Sequence, residues 1–176
     1  MLKNETLETL KTRRSCRDFK SEQIKDEELD AILEAGTYAP TGMGKQSPIM
    51  IAVQNKDDIA ELERINAEIF GKPDSNPFYG APTVIVVLAD ADRPTAVYDG
   101  SLVMGNLLNA AASVGVDSCW IHRAKETFER EDGRTLLKKW GIEGNYIGIG
   151  NCVLGYAASS PSPALPRKTG YITKVK

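Results

Sequence analysis

The most constraining feature of this chain is the run Val84-Ile85-Val86-Val87-Leu88. Such a continuous apolar, largely β-branched stretch reads as a strand covered on both faces, because a strand with one wet face would alternate apolar and polar residues. A strand of that kind needs layers above and below it, so the fold must be layered. The flanking sequence supplies them. Helical patterns occur at residues 5–12, 26–36, 57–70, 101–114 and 132–140. Asp26, Glu27 and Glu28 suit a helix N-terminus, Leu29, Ile32 and Leu33 form one apolar face, and Gly36 is the expected stop. Residues 49–53, 118–121 and 146–154 read as further strands, and 71–82 as a loop. Residues 157–176 are Pro- and Ser-rich, and residues 171–175 then alternate like a strand with no neighbour in their own chain. The expected class is α+β, a central sheet flanked by helices.

A length of 176 residues suits one compact domain, expected to span 1–176 with residues 158–176 as an extended arm. Lys and Arg number 22 against 24 Asp and Glu, which disfavours a protein devoted to nucleic acid or an anionic membrane. The apolar runs are too short to cross a bilayer and Met1-Leu2-Lys3-Asn4-Glu5 is polar, so no signal peptide is expected and the cytoplasm is the expected location. Cys16, Cys119 and Cys152 form no CxxC pair, which argues against a disulfide framework or a zinc ribbon. Cys119 and Cys152 read as buried apolar residues. Cys16 reads as a packed thiol, or as one whose pKa Arg14 and Arg17 lower. With His122 the sole histidine, a His-rich metal site is excluded within one subunit. No GxSxG surrounds a serine, so a hydrolase elbow is absent.

Two glycine patterns imitate nucleotide motifs. Gly148-Ile149-Gly150 lacks the third glycine and the following helix of a dinucleotide fingerprint, so close packing on a strand explains it better. Gly44-Lys45 has Ala39 where a phosphate loop needs its first glycine, and Gln46 where it needs Ser or Thr. Four other segments carry chemistry. Arg13-Arg14-Ser15-Cys16-Arg17 gathers three guanidinium groups and a hydroxyl, the makings of an anion receptor or of a solvated basic turn. Arg167-Lys168 is a second cation pair. The loop Pro40-Thr41-Gly42-Met43-Gly44-Lys45-Gln46 can press backbone against a planar ligand while Gln46 offers donor and acceptor, or can simply turn the chain. Cys119-Trp120-Ile121-His122-Arg123 ends a strand, where ligand sites form in α/β proteins, although a packed Trp and a solvent-facing His account for it equally.

Taken in this order, these segments resemble the nitroreductase family of FMN-dependent oxidoreductases. The matching pieces are Arg13 through Phe19, Ala39-Pro40-Thr41 through Gln46, Gly80-Ala81-Pro82, Leu107 through Ala111, Gly115 through Ile121, and Val153-Leu154-Gly155-Tyr156 before Pro166-Arg167-Lys168. The resemblance covers essentially the whole chain. It implies a nitroreductase-like fold with a mostly antiparallel sheet, working as an intertwined homodimer with FMN at the subunit interface. Arg13 and Ser15, within the cluster that includes Arg14, would hold the phosphate and ribityl end, and Arg17 would face the pyrimidine edge. Arg167 matches a second phosphate position, with Leu165 where relatives often carry a cation and Lys168 as a substitute. Pro40, Thr41, Gly42, Met43 and Gln46 would reach the partner's flavin, with Gly44 standing where the family usually has Asn. Ile121, His122 and Arg123 match the strand end beside the isoalloxazine.

The implied activity is hydride transfer from NADH or NADPH through FMN to nitroaromatic or quinone acceptors by a ping-pong mechanism. The cofactor carries the chemistry, so no catalytic protein nucleophile, base or metal is expected, and His122 is assigned to acceptor choice. A non-redox flavin store or sensor, and specialised flavin chemistry such as dehalogenation or ring oxidation, are the alternatives.

Overall fold

The computed structural model describes residues 2–176. The described residues form four strands, β1 (Pro48–Val53), β2 (Thr83–Asp90), β3 (Asp117–Ile121) and β4 (Tyr146–Gly155), in one sheet of order β1-β2-β4-β3. All three strand pairings are antiparallel. Six α-helices surround it: α1 (Glu5–Thr12), α2 (Asp26–Thr37), α3 (Lys56–Ile69), α4 (Ala96–Ser113), α5 (Ala124–Glu129) and α6 (Glu131–Lys139).

The apolar run that opens the sequence argument is buried on both sides. Alternation along β2 sends Val84, Val86 and Leu88 toward Leu62, Ile65, Phe128 and Leu136 of α3, α5 and α6. Ile85 and Val87 face Ile32, Met104 and Leu107 of α2 and α4. Helices on both faces leave the sheet's two edges and the strand ends as places for ligands. Among the described residues no helix is long and apolar enough to cross a membrane.

The structure corrects several sequence expectations. Gly36 does not stop α2. It is buried inside that helix, where a Cβ would lie 2.5 Å from Met50 Sδ and 3.0 Å from Leu107 Cδ2, so close packing explains it. Helix α4 begins at Ala96 rather than residue 101 and runs through Gly100, where a Cβ would come 2.4 Å from Ile149. Helix α5, only six residues long, is absent from the sequence reading. Residues 171–175 form no strand in the chain, and residues 158–176 are almost wholly exposed.

The packing reading of Gly148 and Gly150 holds. Val87 pairs with Gly150 and Leu88 with Gly148, leaving Ile149 as the extra residue of a bulge. A Cβ at Gly148 would lie 2.2 Å from the Ala124 carbonyl oxygen, and one at Gly150 would lie 2.5 Å from Trp120 Nε1.

Candidate functional site

The cationic cluster lies along the free edge of β3. Ser15 bridges Ser118 in parallel register, and the Cys16 amide donates to the Ser118 carbonyl at 3.0 Å. The segment then crosses to the 78–82 loop and the end of β4, where Lys20 N–H donates to the Tyr156 carbonyl at 2.8 Å. Ser15 is the residue of the segment that bridges β3, Arg13 lies beside the cleft at the strand's start, and Asp18 and Lys20 already lie against Ala158 and Tyr156 just past the end of β4. Arg13, Ser15 and Arg17 are alternate residues of the segment. Cys16 between them is 1% exposed, and burial raises its thiol pKa. The reading in which neighbouring arginines lower that pKa is therefore set aside.

The arginines are not equivalent. Arg13 Nη1 is buried with no hydrogen-bond partner. A buried guanidinium nitrogen left unpaired is costly, and an anion would relieve it. Arg14 is committed locally, its guanidinium donating to the Lys11 carbonyl at 2.5 Å and to the Arg13 carbonyl, at the end of α1. Arg17 is exposed. A cleft of about 390 Å³ opens beside Arg13, walled by the ends of α1 and α4, the start of β3 and Pro161–Pro163 of the C-terminal arm. Further along the arm, Arg167 donates to the Leu165 carbonyl at 2.7 Å and Lys168 lies over the Tyr171 ring, so within one chain neither joins the Arg13 cluster.

At the far end of β3, Ile121 is buried and His122 is exposed. Arg123 adopts φ 75°, ψ 13°, a left-handed conformation uncommon for a residue with a side chain. Its guanidinium carbon lies 4.4 Å from the centroid of the Phe70 ring.

The Pro40–Gln46 loop is placed elsewhere. It leads into β1, at the opposite edge of the sheet. Three strand spacings separate β1 from β3, about 14 Å, and the Arg13–Arg17 segment lies one spacing beyond. Gly42 N–H donates to Asp99 Oδ1 at 2.9 Å, Thr95 Oγ1 donates to Asp99 Oδ2 at 2.9 Å, and Gln46 N–H donates to Thr41 Oγ1 at 3.0 Å. These bonds hold a tight loop in which Met43 (φ 55°) and Gln46 (φ 50°) are left-handed and Met43 is 92% exposed. Sequence reasoning missed Asp99, the buried anchor of this loop. Its signal is an acidic residue within a mostly apolar helix.

The arrangement thus offers an anion-ready arginine, a polar edge leading from it to an exposed strand end, and a projecting loop on the opposite edge. Comparison with known proteins agrees with this architecture. The family model described as "Nitroreductase family" matches residues 10–156. A solved nitroreductase with bound FMN from Bacteroides fragilis is 34% identical, with TM-score 0.91, covering 99% of this chain and 100% of that one. Another with bound FMN, from Desulfitobacterium hafniense, is 32% identical with TM-score 0.89, again covering 99% of this chain and 100% of that one. A protein of Archaeoglobus fulgidus, provisionally named NADH dehydrogenase/NAD(P)H nitroreductase, is 30% identical over 86% of this chain and 85% of its own length. On the match across most of its length, this chain belongs to the nitroreductase family.

Proposed function

We propose that this protein is an FMN-dependent oxidoreductase that takes hydride from NADH or NADPH and reduces nitroaromatic- or quinone-type acceptors by a ping-pong mechanism. The observation that carries this reading is the buried, unpartnered Nη1 of Arg13, at the head of the β3 edge, which ends in the exposed His122 and the left-handed Arg123. The residues fit the cofactor. Arg13 and Ser15 hold the phosphate and ribityl end, Arg17 favours negative charge at the pyrimidine end, and residues 121–123 border the ring. Arg14 serves in this reading as the cap of α1. Bound FMN supplies the hydride-exchange chemistry, and the protein supplies binding, orientation and electrostatics.

The proposal includes a homodimer. The Pro40–Gln46 loop and the Arg13 edge lie at opposite ends of the strand order, so a site using both draws them from two chains. Apolar side chains exposed on α1 and α4 (Leu7, Leu10, Val97, Tyr98 and Leu102) and on the arm (Leu165, Tyr171, Ile172) support a partner of the same kind. In that arrangement residues 158–176 leave the single 1–176 domain and carry Arg167 and Lys168 to an interface phosphate. A cytoplasmic location belongs to the same proposal.

Stopped-flow mixing of the FMN-loaded protein with NADH and with NADPH tests the reading, followed by reoxidation with nitroaromatics and quinones. Bleaching of the flavin by at least one nicotinamide is expected. His122→Ala should leave that step intact and change the rate ratio among acceptors, because solvent can supply the protons. A flavin that neither nicotinamide bleaches favours the store-or-sensor alternative.

A further inference from the structure

The left-handed peptide at the end of β3 is held by a residue that no part of the preceding site includes. Asn66, on α3, is fully buried at 0% exposure. Its amide is used at both ends: Nδ2 donates to the His122 carbonyl at 2.8 Å, and Oδ1 accepts from Arg123 Nε at 3.0 Å. The Arg123 carbonyl is held separately, accepting from Thr127 N–H and Thr127 Oγ1, both at 2.9 Å.

A trans peptide is planar and its C=O and N–H point in opposite directions. Asn66 draws the His122 carbonyl inward, toward α3, so the N–H of the same peptide, which belongs to Arg123, is turned outward. Among the described residues no acceptor takes that N–H. The conformation that permits this, φ 75° at a residue with a side chain, persists only where surrounding contacts over-determine it. Asn66, Phe70 and Thr127 are those contacts.

We infer that Asn66 is a positioning residue that aims the Arg123 amide at the reactive N5 edge of the flavin, while Arg13 at the other end of the edge sets affinity. The inference rests on the functional reading above. It separates two properties that one site usually mixes, since loss of Asn66 should spoil orientation and leave phosphate anchoring alone.

The test uses the full-length protein loaded with FMN labelled with ¹⁵N at N5. In wild type, hydrogen bonding to N5 moves its resonance away from the unbonded value. In Asn66→Leu the resonance should return toward that value, and flavin reduction by the nicotinamide should slow about tenfold, less than the roughly 10²–10³ for outright loss of a preorganised donor because the amide is misaimed rather than removed. The FMN dissociation constant should change by less than about threefold. Asn66→Asp keeps an acceptor for Arg123 Nε and removes the donor to His122, so it should fall between wild type and Asn66→Leu. It decides the matter by the same resonance if Asn66→Leu does not fold. In an Arg123→Gly background, where positive φ costs nothing sterically, Asn66→Leu should have a smaller effect. An Asn66 variant that binds FMN and keeps the wild-type N5 resonance overturns the inference alone. A wild-type protein that takes up no FMN overturns the functional reading and the inference together.

Discussion

At the β3 edge the Arg13–Arg17 segment is bridged to the sheet through Ser15, while at the β1 edge the chain sends out a loop anchored from beneath. The first edge is a recess: Arg13 is half-buried, Nη1 has no partner, and a cleft opens beside it. The second edge is a projection, with Met43 almost fully exposed and the backbone hydrogen bonds of the loop already made to Asp99 and Thr41. One edge presents an unpaired guanidinium nitrogen and the other a loop tip that stands clear of its own chain. The contrast teaches that the two segments assigned to the proposed site lie on edges that a single sheet keeps apart. In the proposed homodimer a second copy brings them together.

The largest effect should come from the recess. Arg13→Ala should weaken FMN binding by about 1.5–3 kcal/mol, the scale of a hydrogen bond to a charged group, as read by flavin titration. An unchanged affinity removes Arg13 from the site. Next comes the arm. Ending the chain after Ser160 should leave the fold intact, because residues 161–176 lie outside both cores, while reducing both dimer stability and flavin retention. Sedimentation velocity with flavin absorbance followed in the same run reads both, and a yellow, fully dimeric truncation shows the arm to be dispensable.

A third change sharpens the comparison by avoiding both edges. Asp58 of α3 is buried and accepts from Lys139 Nζ and from Trp140 Nε1, at 2.9 Å for the latter. The bonds to Lys139 and Trp140 hold its carboxyl below the usual range. A lowered folded-state pKa means that the ionised form is favoured by folding, so its contribution is present above the ordinary Asp value of 3.8 and is lost as pH falls through the folded value. Asp58→Asn should therefore cost about 1–3 kcal/mol at neutral pH and progressively less below about pH 4, in urea melts, with FMN affinity per folded molecule unchanged. The smallest effect belongs to the exposed network in which Arg64 pairs with Glu61, Glu68 and Asp132. Arg64→Ala should cost no more than about 1 kcal/mol, and less at high salt.

Much of the fold was legible because period and chemistry coincide. The β2 run, the stripe Ile59, Leu62, Ile65 and Ile69 on α3, and the acidic first turn of α2 each carry one signal that packing then confirms. The errors arose where one residue serves two demands. Gly36 reads locally as a helix stop, yet it is there for what it touches, and Gly100 likewise sits inside α4 against Ile149. Helix α5 is too short for a period to show. At the site, the cationic segment was legible as charge, but not that Arg14 is spent on α1 while Arg13 is left unpaired. Asn66 was visible as a polar residue four positions after Leu62, on the apolar face of α3. Only the structure shows that it reaches the end of β3.

The claim that each site is assembled from the β3 edge of one subunit and the β1 loop of its partner is tested most directly by subunit complementation. Arg13→Ala damages one edge. Gly42→Val damages the other, because a Cβ at Gly42 would lie 2.5 Å from Thr95 Oγ1 and must displace the loop. Each variant alone should bind FMN weakly. After unfolding and refolding as an equal mixture, half of the dimers are mixed, and each mixed dimer holds one site with both defects and one with neither. Tight binding should then return to about a quarter of all sites in a flavin titration. A mixture that binds no better than the two variants apart would contradict the account, and would put both edges of each site in the same chain.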